Sequence, residues 1–183
     1  GVLGLREHEM RSNPCIIGGR TRNMYFPIFI DLSDREILMI GGGTIAARRV
    51  KSLCGFAGQI TVVAPAVCDA IRSLQTKYPV KILQEPFSET MLDDAGRFKM
   101  VLAATDDAAL NERIADVCHA RGILVNIASR KEACDFYFPS VIRRDPVVIG
   151  INASGLDHGL VKRTREELEA ALDKEDLTCN QIY

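Results

Sequence analysis

An apolar stretch that runs directly into a glycine-rich turn and then into a helical pattern constrains the fold of this chain most. In ILMIGGGTIAARRV, residues 37–50, Gly41, Gly43 and Ala46 have the spacing G-x-G-x-x-A. In dinucleotide-binding folds the first small residue permits a tight turn, the second lets backbone approach a pyrophosphate, and the third lets helix and strand pack closely. A glycine-rich turn on its own could also be a tight strand–helix connection that binds no ligand. The strand before it and the helix after it favour a cofactor site.

The chain after this turn continues to alternate short apolar runs with helical patterns, which is typical of parallel β-α-β units. Several runs are continuously apolar, as expected of strands buried on both faces of a sheet. The fold class is therefore α/β, with a Rossmann-type parallel sheet. Strands are predicted over 36–41, 59–64, 80–85, 98–104 and 123–128, and helices over 44–57, 67–77, 89–95 and 107–120.

The pattern changes after residue 135. FYFPSVIRR and PVVIGINAS are linked only through Arg144-Asp145-Pro146, too short for a parallel crossover, so we expect antiparallel strands outside the core. Residues 160–175 then supply strong helix formers with charges spaced to pair. Residues 1–23 are predicted to be a leader or appended extension, with Met24 a candidate start. A dinucleotide-binding domain is predicted over 24–135, followed by antiparallel strands over 136–158 and a short C-terminal helical segment over 159–183.

Composition narrows the class of partner. The 23 basic and 24 acidic residues nearly cancel, so the overall charge indicates neither nucleic acid nor an anionic membrane surface, and no apolar run is long enough to span a bilayer. Six cysteines stand singly, as reduced thiols do in cytoplasmic proteins, and the three histidines lack metal-ligand spacing. We therefore expect a cytoplasmic protein that binds a small molecule, with any metal unknown.

Longer motifs add a family resemblance. From Met24 to Leu172 the stretches YFPIFIDLSDREILMIGGGTIAARRV, TVVAP, AATDDAALNERIA, VNIASRKEACDFYFPSVIRRDPVVIGINASG and LVKRTREELE occur in order. They resemble the precorrin-2 dehydrogenase family, the enzymes related to the amino-terminal half of siroheme synthase. The resemblance implies an NAD-binding domain, a homodimer formed through the antiparallel strands, and oxidation of the tetrapyrrole precorrin-2 to sirohydrochlorin. Some family members also insert ferrous iron.

The resemblance also implies cofactor contacts after three strands, to which the motif spacing adds Gly41. The implied contacts are Gly42, Gly43, Thr44 and Ile45 in the turn, Pro65 and Ala66 after the second strand, and Ala104 and Thr105 after the fourth. From the residues alone, Thr105 or Asp106 could equally cap the next helix. The second strand ends without the acid that usually binds an NAD ribose, and no arginine is placed for a 2′-phosphate, so NAD is favoured and NADP is not excluded.

One position departs from the family pattern at the end of the VNIA strand. Where the family has an aspartate that handles protons, this chain has Ser129. A positioned base contributes about 10² to 10⁴ in rate, and iron insertion, which removes pyrrole protons, depends on one most. Asp157 and His158, in a loop where the family is rich in glycine and serine, are weaker catalytic candidates whose ordinary interpretation is two solvated residues. The family also continues past Tyr183 with further helices.

Two functions follow. The first is NAD-dependent oxidation of precorrin-2 to sirohydrochlorin in siroheme or related tetrapyrrole biosynthesis, without efficient ferrochelatase activity. The alternative is a non-catalytic tetrapyrrole- or NAD-binding protein that channels or senses a pathway intermediate. Ser129 motivates the alternative.

Overall fold

A computed structural model describes residues 15–17, 20–22, 25–94, 96–154 and 157–174. Strands and helices alternate through most of these residues, as the apolar pattern predicts. In chain order the elements are β1 Cys15–Ile17, β2 Arg20–Arg22, β3 Glu36–Ile40, α1 Thr44–Leu53, β4 Gln59–Val63, α2 Asp69–Gln75, β5 Val80–Leu83, a 3₁₀ turn Glu89–Leu92, β6 Phe98–Ala103, α3 Ala108–Ala120, β7 Leu124–Ile127, a 3₁₀ turn Lys131–Ala133, β8 Ser140–Arg144, β9 Val147–Ile151 and α4 His158–Lys174.

The central sheet has five parallel strands in the order β5-β4-β3-β6-β7. The chain begins this sheet in the middle at β3, moves outward to β5, and returns to β6 on the other side of β3. The carboxyl ends of β3 and β6 are therefore the point where the winding reverses, which is where open α/β sheets bind ligands. The predicted Rossmann-type fold is confirmed.

Both faces of the sheet are buried because alternate residues of each strand point to opposite sides. In β3, Ile37 and Met39 pack with the helices α1 and α2, whereas Leu38 and Ile40 pack with α3. All four side chains are almost completely buried, with at most 1% of their surface exposed. The continuous apolar runs of the sequence thus correspond to strands covered on two sides.

Two helical stretches are shorter than predicted. The helix predicted over 44–57 ends at Leu53, because Gly55 adopts a φ of +86°, a left-handed conformation that stops a helix. The helix predicted over 89–95 is the 3₁₀ turn Glu89–Leu92. The other predicted helices are confirmed to within three residues at either end.

The free edge of the outer strand β7 is covered by side chains of the loop that follows it. The Asp135 carboxylate accepts a hydrogen bond from the Val125 N–H at 2.9 Å. The Cys134 sulfur accepts one from the Ile127 N–H at 3.2 Å. His119 Nε2 lies 3.3 Å from the other carboxylate oxygen of Asp135. Polar backbone groups that an outer strand would leave unpaired are therefore satisfied within the domain.

At the amino end of the sheet, Glu36 joins β3 to its neighbours. Its carboxylate accepts a hydrogen bond from the Thr61 hydroxyl at 2.6 Å and from the Arg97 Nε at 3.0 Å. Partial burial alone would raise the pKa of Glu36, but the hydrogen bonds from Arg97 and Thr61 outweigh it and hold the pKa below its usual value. The ionised carboxylate is thus the form that the fold favours.

The chain divides into two compact units. One is Phe29–Phe138, with the parallel sheet and its helices, and the other comprises the described parts of 1–28 and 139–183. In the second unit β8 and β9 pair antiparallel, from Ser140 opposite Ile151 to Arg144 opposite Val147, so the predicted antiparallel pair is confirmed. Arg144 also forms an ion pair with Asp173 of α4 at 2.7 Å.

The sequence predicted no strand before residue 36. The structure places β1 and β2 there as a short antiparallel pair, inside the segment predicted to be a leader or extension. The domain boundaries inferred from the sequence stay predictions. No helix in the described part of the chain combines the length and the apolar character that crossing a membrane requires.

Candidate functional site

The glycine turn after β3 is enclosed by the chain's own backbone at its first two residues. Gly41 has a φ of +119°, and a Cβ on it would lie 2.5 Å from the Ala104 carbonyl oxygen. A Cβ on Gly42 would collide with the Ala66 carbonyl oxygen. The turn is therefore pressed against the loops that follow β4 and β6, and these two positions need glycine whether or not a ligand is present.

Gly43 differs from both neighbours. A Cβ on Gly43 would meet nothing within 4 Å, and its φ of −86° is ordinary for any residue. It precedes α1, whose start has no side-chain cap and no acidic residue in its first turn. The N–H groups of Thr44 and Ile45 belong to this turn and carry the positive end of the helix dipole. Open space in front of uncapped donors is what a bound phosphate requires.

The loop after β4 lies beside the glycine turn at the carboxyl edge of the sheet. Pro65 and Ala66 are exposed, and no acidic side chain stands at the strand end. The structure adds Arg72, which the sequence analysis missed. Its guanidinium donates to the Gln84 amide oxygen at 3.2 Å, and the Gln84 amide lies 3.5 Å from the Pro65 carbonyl oxygen. The contact joins α2 to the end of β5, so no local motif could have signalled it.

The loop after β6 is fixed by a buried amide. Asn111, 1% exposed, accepts a hydrogen bond from the Thr105 hydroxyl at 2.8 Å, and its own amide donates to the Thr105 carbonyl at 3.1 Å. The helix cap is Asp107, whose carboxylate accepts from the Leu110 N–H at 3.0 Å. Of the two alternatives left open by the sequence, capping of this helix by Thr105 or Asp106 is therefore not found, because Asp107 takes that role. Thr105 is instead held by Asn111, directly after Ala104, whose N–H donates to the Ile40 carbonyl at 2.8 Å where the sheet winding reverses.

Ser129 lies at the same carboxyl edge of the sheet. The Ala128 N–H donates to the Ala103 carbonyl at 2.9 Å, which fixes the end of β7 beside the end of β6. Ser129 follows and is exposed. Next to it, Arg130 forms a loose ion pair with Glu112 at 3.7 Å. The edge thus brings Ser129 together with the glycine turn, Pro65, Ala66 and Thr105 on adjacent strand ends.

Asp157 and His158 belong to the second compact unit. The Asp157 carboxylate accepts a hydrogen bond from the Leu160 N–H at 2.8 Å, the usual contact of a helix-capping residue at the start of α4. His158 is the first residue of that helix and is exposed. These contacts support a capping role for Asp157. Within the described residues, no three His, Cys, Asp or Glu side chains come together as a metal site would require.

Three thiols of the parallel-sheet unit are poor nucleophiles. Burial raises the pKa of Cys118 to about 12, and burial also raises the pKa of Cys54 and of Cys134. A thiolate is the reactive form of cysteine, so these side chains stay protonated at neutral pH. Covalent catalysis through these three cysteines is not what the site is built for.

Comparison with known proteins agrees with this geometry. Residues 28–140 match the family model described as "Putative NAD(P)-binding". Siroheme synthase of Sodalis glossinidius (strain morsitans) is 40% identical over 148 residues, which are 81% of this chain and 31% of that protein. Siroheme synthase of Blochmanniella pennsylvanica (strain BPEN) is 39% identical over 150 residues, 82% of this chain and 31% of that protein. The chain therefore spans less than a third of the length of these relatives.

A solved structure described as "SirC, precorrin-2 dehydrogenase" superposes with a TM-score of 0.65 at 29% sequence identity, covering 80% of this chain and 71% of that chain. The resemblance indicated by the sequence motifs is thereby confirmed.

Proposed function

This chain belongs to the NAD(P)-binding family that residues 28–140 match, and from that premise we propose that it is an NAD-dependent precorrin-2 dehydrogenase. One observation supports the proposal above the others. Gly43 opens onto free space in front of an uncapped helix, although its two neighbouring glycines are tightly enclosed. If the turn served packing alone, we would expect Gly43 to be enclosed as Gly41 and Gly42 are.

The carboxyl edge of the sheet fits a dinucleotide along its length. The pyrophosphate would be held at Gly43 by the N–H groups of Thr44 and Ile45. The adenosine ribose would lie on Pro65 and Ala66. The nicotinamide end would lie at Ala104 and Thr105, and when bound it supplies the hydride acceptor. The role of this chain is to fix that position, which the Asn111 contacts to Thr105 do at the nicotinamide end.

We propose NAD rather than NADP. The strand end Ala64-Pro65-Ala66 is uncharged, and the guanidinium of Arg72 is held by the Gln84 side chain. A 2′-phosphate needs a cation directed at it, and the Arg72 guanidinium, although still charged, is directed at the Gln84 amide oxygen, whereas a ribose hydroxyl can be bound by neutral groups. The amide of Gln84, 3.5 Å from the Pro65 carbonyl, is a neutral group of that kind.

We propose precorrin-2 as the substrate, because the description of the similar solved structure names a precorrin-2 dehydrogenase. Its oxidation to sirohydrochlorin removes a hydride and a proton. The hydroxyl of Ser129, exposed at the end of β7, is too weak a base to take the proton at a useful rate, so the proton leaves to water. Loss of pyrrole protons during iron insertion needs a base still more, so we propose no efficient ferrochelatase activity.

The test is to incubate the protein with precorrin-2 and NAD⁺ and to follow the absorbance of sirohydrochlorin. Turnover above the rate without protein, and faster with NAD⁺ than with NADP⁺, supports the proposal. A protein that binds NADH and sirohydrochlorin saturably but gives no turnover is instead the non-catalytic binding protein, which Ser129 favours. A protein that binds neither refutes both functions.

We further propose that the protein is a cytoplasmic homodimer. Cysteines that stand singly and, at Cys118, fully buried fit a reducing compartment. Sedimentation equilibrium should give twice the chain mass of 20.2 kDa. A mass equal to one chain at micromolar concentration would contradict the dimer.

A further inference from the structure

Arg49, on α1 behind the glycine turn, forms no ion pair with a carboxylate of the described residues. Its Nη1 atom is buried and has no hydrogen-bond partner in the described part of the chain. Its guanidinium lies over the Phe138 ring, with Cζ 5.9 Å from the ring centroid. The titratable neighbours that act on its pKa are Cys134 and Arg48, and neither is a carboxylate. Burial lowers the pKa of Arg49 accordingly. Arg49 as a whole is only partly buried, but a buried guanidinium nitrogen without an acceptor is costly, so Nη1 points to a missing anion.

Asn126, in β7, is a second polar group left without a partner. It is 6% exposed, and its amide nitrogen donates to the Phe136 carbonyl at 2.7 Å. That contact fixes the orientation of the amide, because a carbonyl can only accept. The oxygen left over, Oδ1, is buried and has no hydrogen-bond partner among the described residues. It needs a donor, as Arg49 needs an acceptor.

Both orphan groups lie on the same side of the sheet. Val125 and Ile127 pack with α3, so Asn126 between them faces the α1 side. Phe136 and Phe138, which contact Asn126 and Arg49 respectively, both pack against the core on that side. Two residues of chain span at most about 7 Å. The unpaired donor and the unpaired acceptor therefore flank one short aromatic stretch beside β7.

On the basis of the proposed function, we propose that Arg49 holds a carboxylate of the tetrapyrrole substrate, with Asn126 accepting a hydrogen bond from a water bound to that carboxylate. A carboxylate supplies the acceptor that Nη1 lacks, and a water can donate to Oδ1 and to the carboxylate together. Tetrapyrroles of this pathway carry carboxylates at the rim of the macrocycle, which suits a cation placed to one side of the cofactor edge.

The dinucleotide phosphates are another source of an anionic oxygen, but the position of Arg49 disfavours them. Arg49 is six residues beyond Gly43, which is about 9 Å along the helix axis from the glycine turn. Its guanidinium is turned to Phe138, not to the glycine turn. The substrate and cofactor arms of the experiment distinguish these two sources.

The experiment compares Arg49→Met with Arg48→Met in the full chain. Arg48 is the exposed neighbour on the same helix and serves as the matched control. Each protein is titrated with sirohydrochlorin by absorbance and with NADH by fluorescence, and its melting temperature is measured without ligand. Arg49→Met should weaken sirohydrochlorin binding about 10- to 100-fold, the effect of one charge-assisted hydrogen bond, and leave NADH binding within about twofold. Its melting temperature should rise by roughly 2–4 °C, because a partly buried charge with an unpaired buried nitrogen is removed.

Each other outcome overturns the assignment. If Arg49→Met binds sirohydrochlorin as tightly as Arg48→Met does, Arg49 is not part of the substrate site. If Arg49→Met loses affinity for NADH alone, Arg49 binds the cofactor. A lower melting temperature makes Arg49 a packing residue. The proposed function fails separately: if the unmutated protein does not bind sirohydrochlorin, the substrate itself is wrong, whatever the variants do.

Discussion

Replacing Gly43 with alanine separates what the fold needs at the glycine turn from what a cofactor needs. The new Cβ would meet no atom within 4 Å, and the φ of −86° suits alanine, so the protein itself offers no steric resistance. Alanine is a worse residue than glycine before a helix, by about 0.5–1 kcal/mol. Alanine also lowers the conformational entropy of the unfolded chain, which stabilises the folded protein by about 0.4–1 kcal/mol. The free energy of unfolding should therefore change by less than about 1 kcal/mol.

Cofactor affinity should change much more in this variant. The added methyl group would stand in front of the first turn of α1, in the space proposed for the pyrophosphate. Losing one hydrogen bond to a charged group costs about 1.5–3 kcal/mol, which weakens the Kd for NADH roughly 10- to 150-fold. Fluorescence titration with NADH measures the affinity, and urea denaturation of the same preparation measures the stability.

Gly42→Ala is the matched comparison, one residue earlier in the same turn. Here the Cβ collides with the Ala66 carbonyl oxygen, so we expect a loss of about 1–3 kcal/mol in the free energy of unfolding. Wild-type NADH affinity in Gly43→Ala would refute the reasoning, because the open space would then not be the cofactor's. So would a loss of stability in Gly43→Ala as large as that in Gly42→Ala.

Three further changes test other parts of the molecule. Ser129→Asp should raise the rate of precorrin-2 oxidation by about 10² to 10⁴, and an unchanged rate would mean that another group takes the proton. The pKa of Glu36 is lowered in the folded state from its ordinary 4.5, so its contribution to stability is present above that pH and is lost as pH falls below it. Glu36→Gln should accordingly flatten the acid side of a urea-stability profile, and Glu85→Gln, at an exposed position, should not. Asp135→Ala should lower the free energy of unfolding by about 1–3 kcal/mol in urea, with the exposed Asp116→Ala as an unaffected control.

The parallel sheet could be predicted from sequence because its information is local. Runs such as that before Gly41 are apolar throughout, and only a strand buried on both faces has that pattern at this length. The position of Ser129 at the carboxyl edge followed in the same way, from being next after such a run. Helix ends were harder to predict. Asp107 caps α3, although Thr105 and Asp106 have side chains that are equally able to cap. Only the backbone conformation distinguishes three capping residues in a row.

The electrostatics of the candidate site could not be predicted, because they depend on residues distant in sequence. Arg72 reaches the Pro65 loop through Gln84, twelve positions away on another element. Arg49 is one of several basic residues on α1, and nothing in the adjacent sequence shows that its guanidinium is the one with a buried, unpaired nitrogen. The contrast between Gly42 and Gly43 likewise arises from the Ala66 backbone, which the fold brings beside the turn.

The covering of β7 by Cys134 and Asp135 bears on how this domain survives at high concentration. An uncovered outer strand is a template onto which strands of other chains add, and such addition is how folded proteins begin to aggregate. Here the edge is covered by the Cys134 thiol, the Asp135 carboxylate and the Asp135 N–H, which donates to the Val125 carbonyl at 2.9 Å, and not by a further strand. Loss of either side chain would therefore leave backbone groups of β7 able to pair with a strand of another chain, so the solubility of this domain depends on a place remote from the glycine turn.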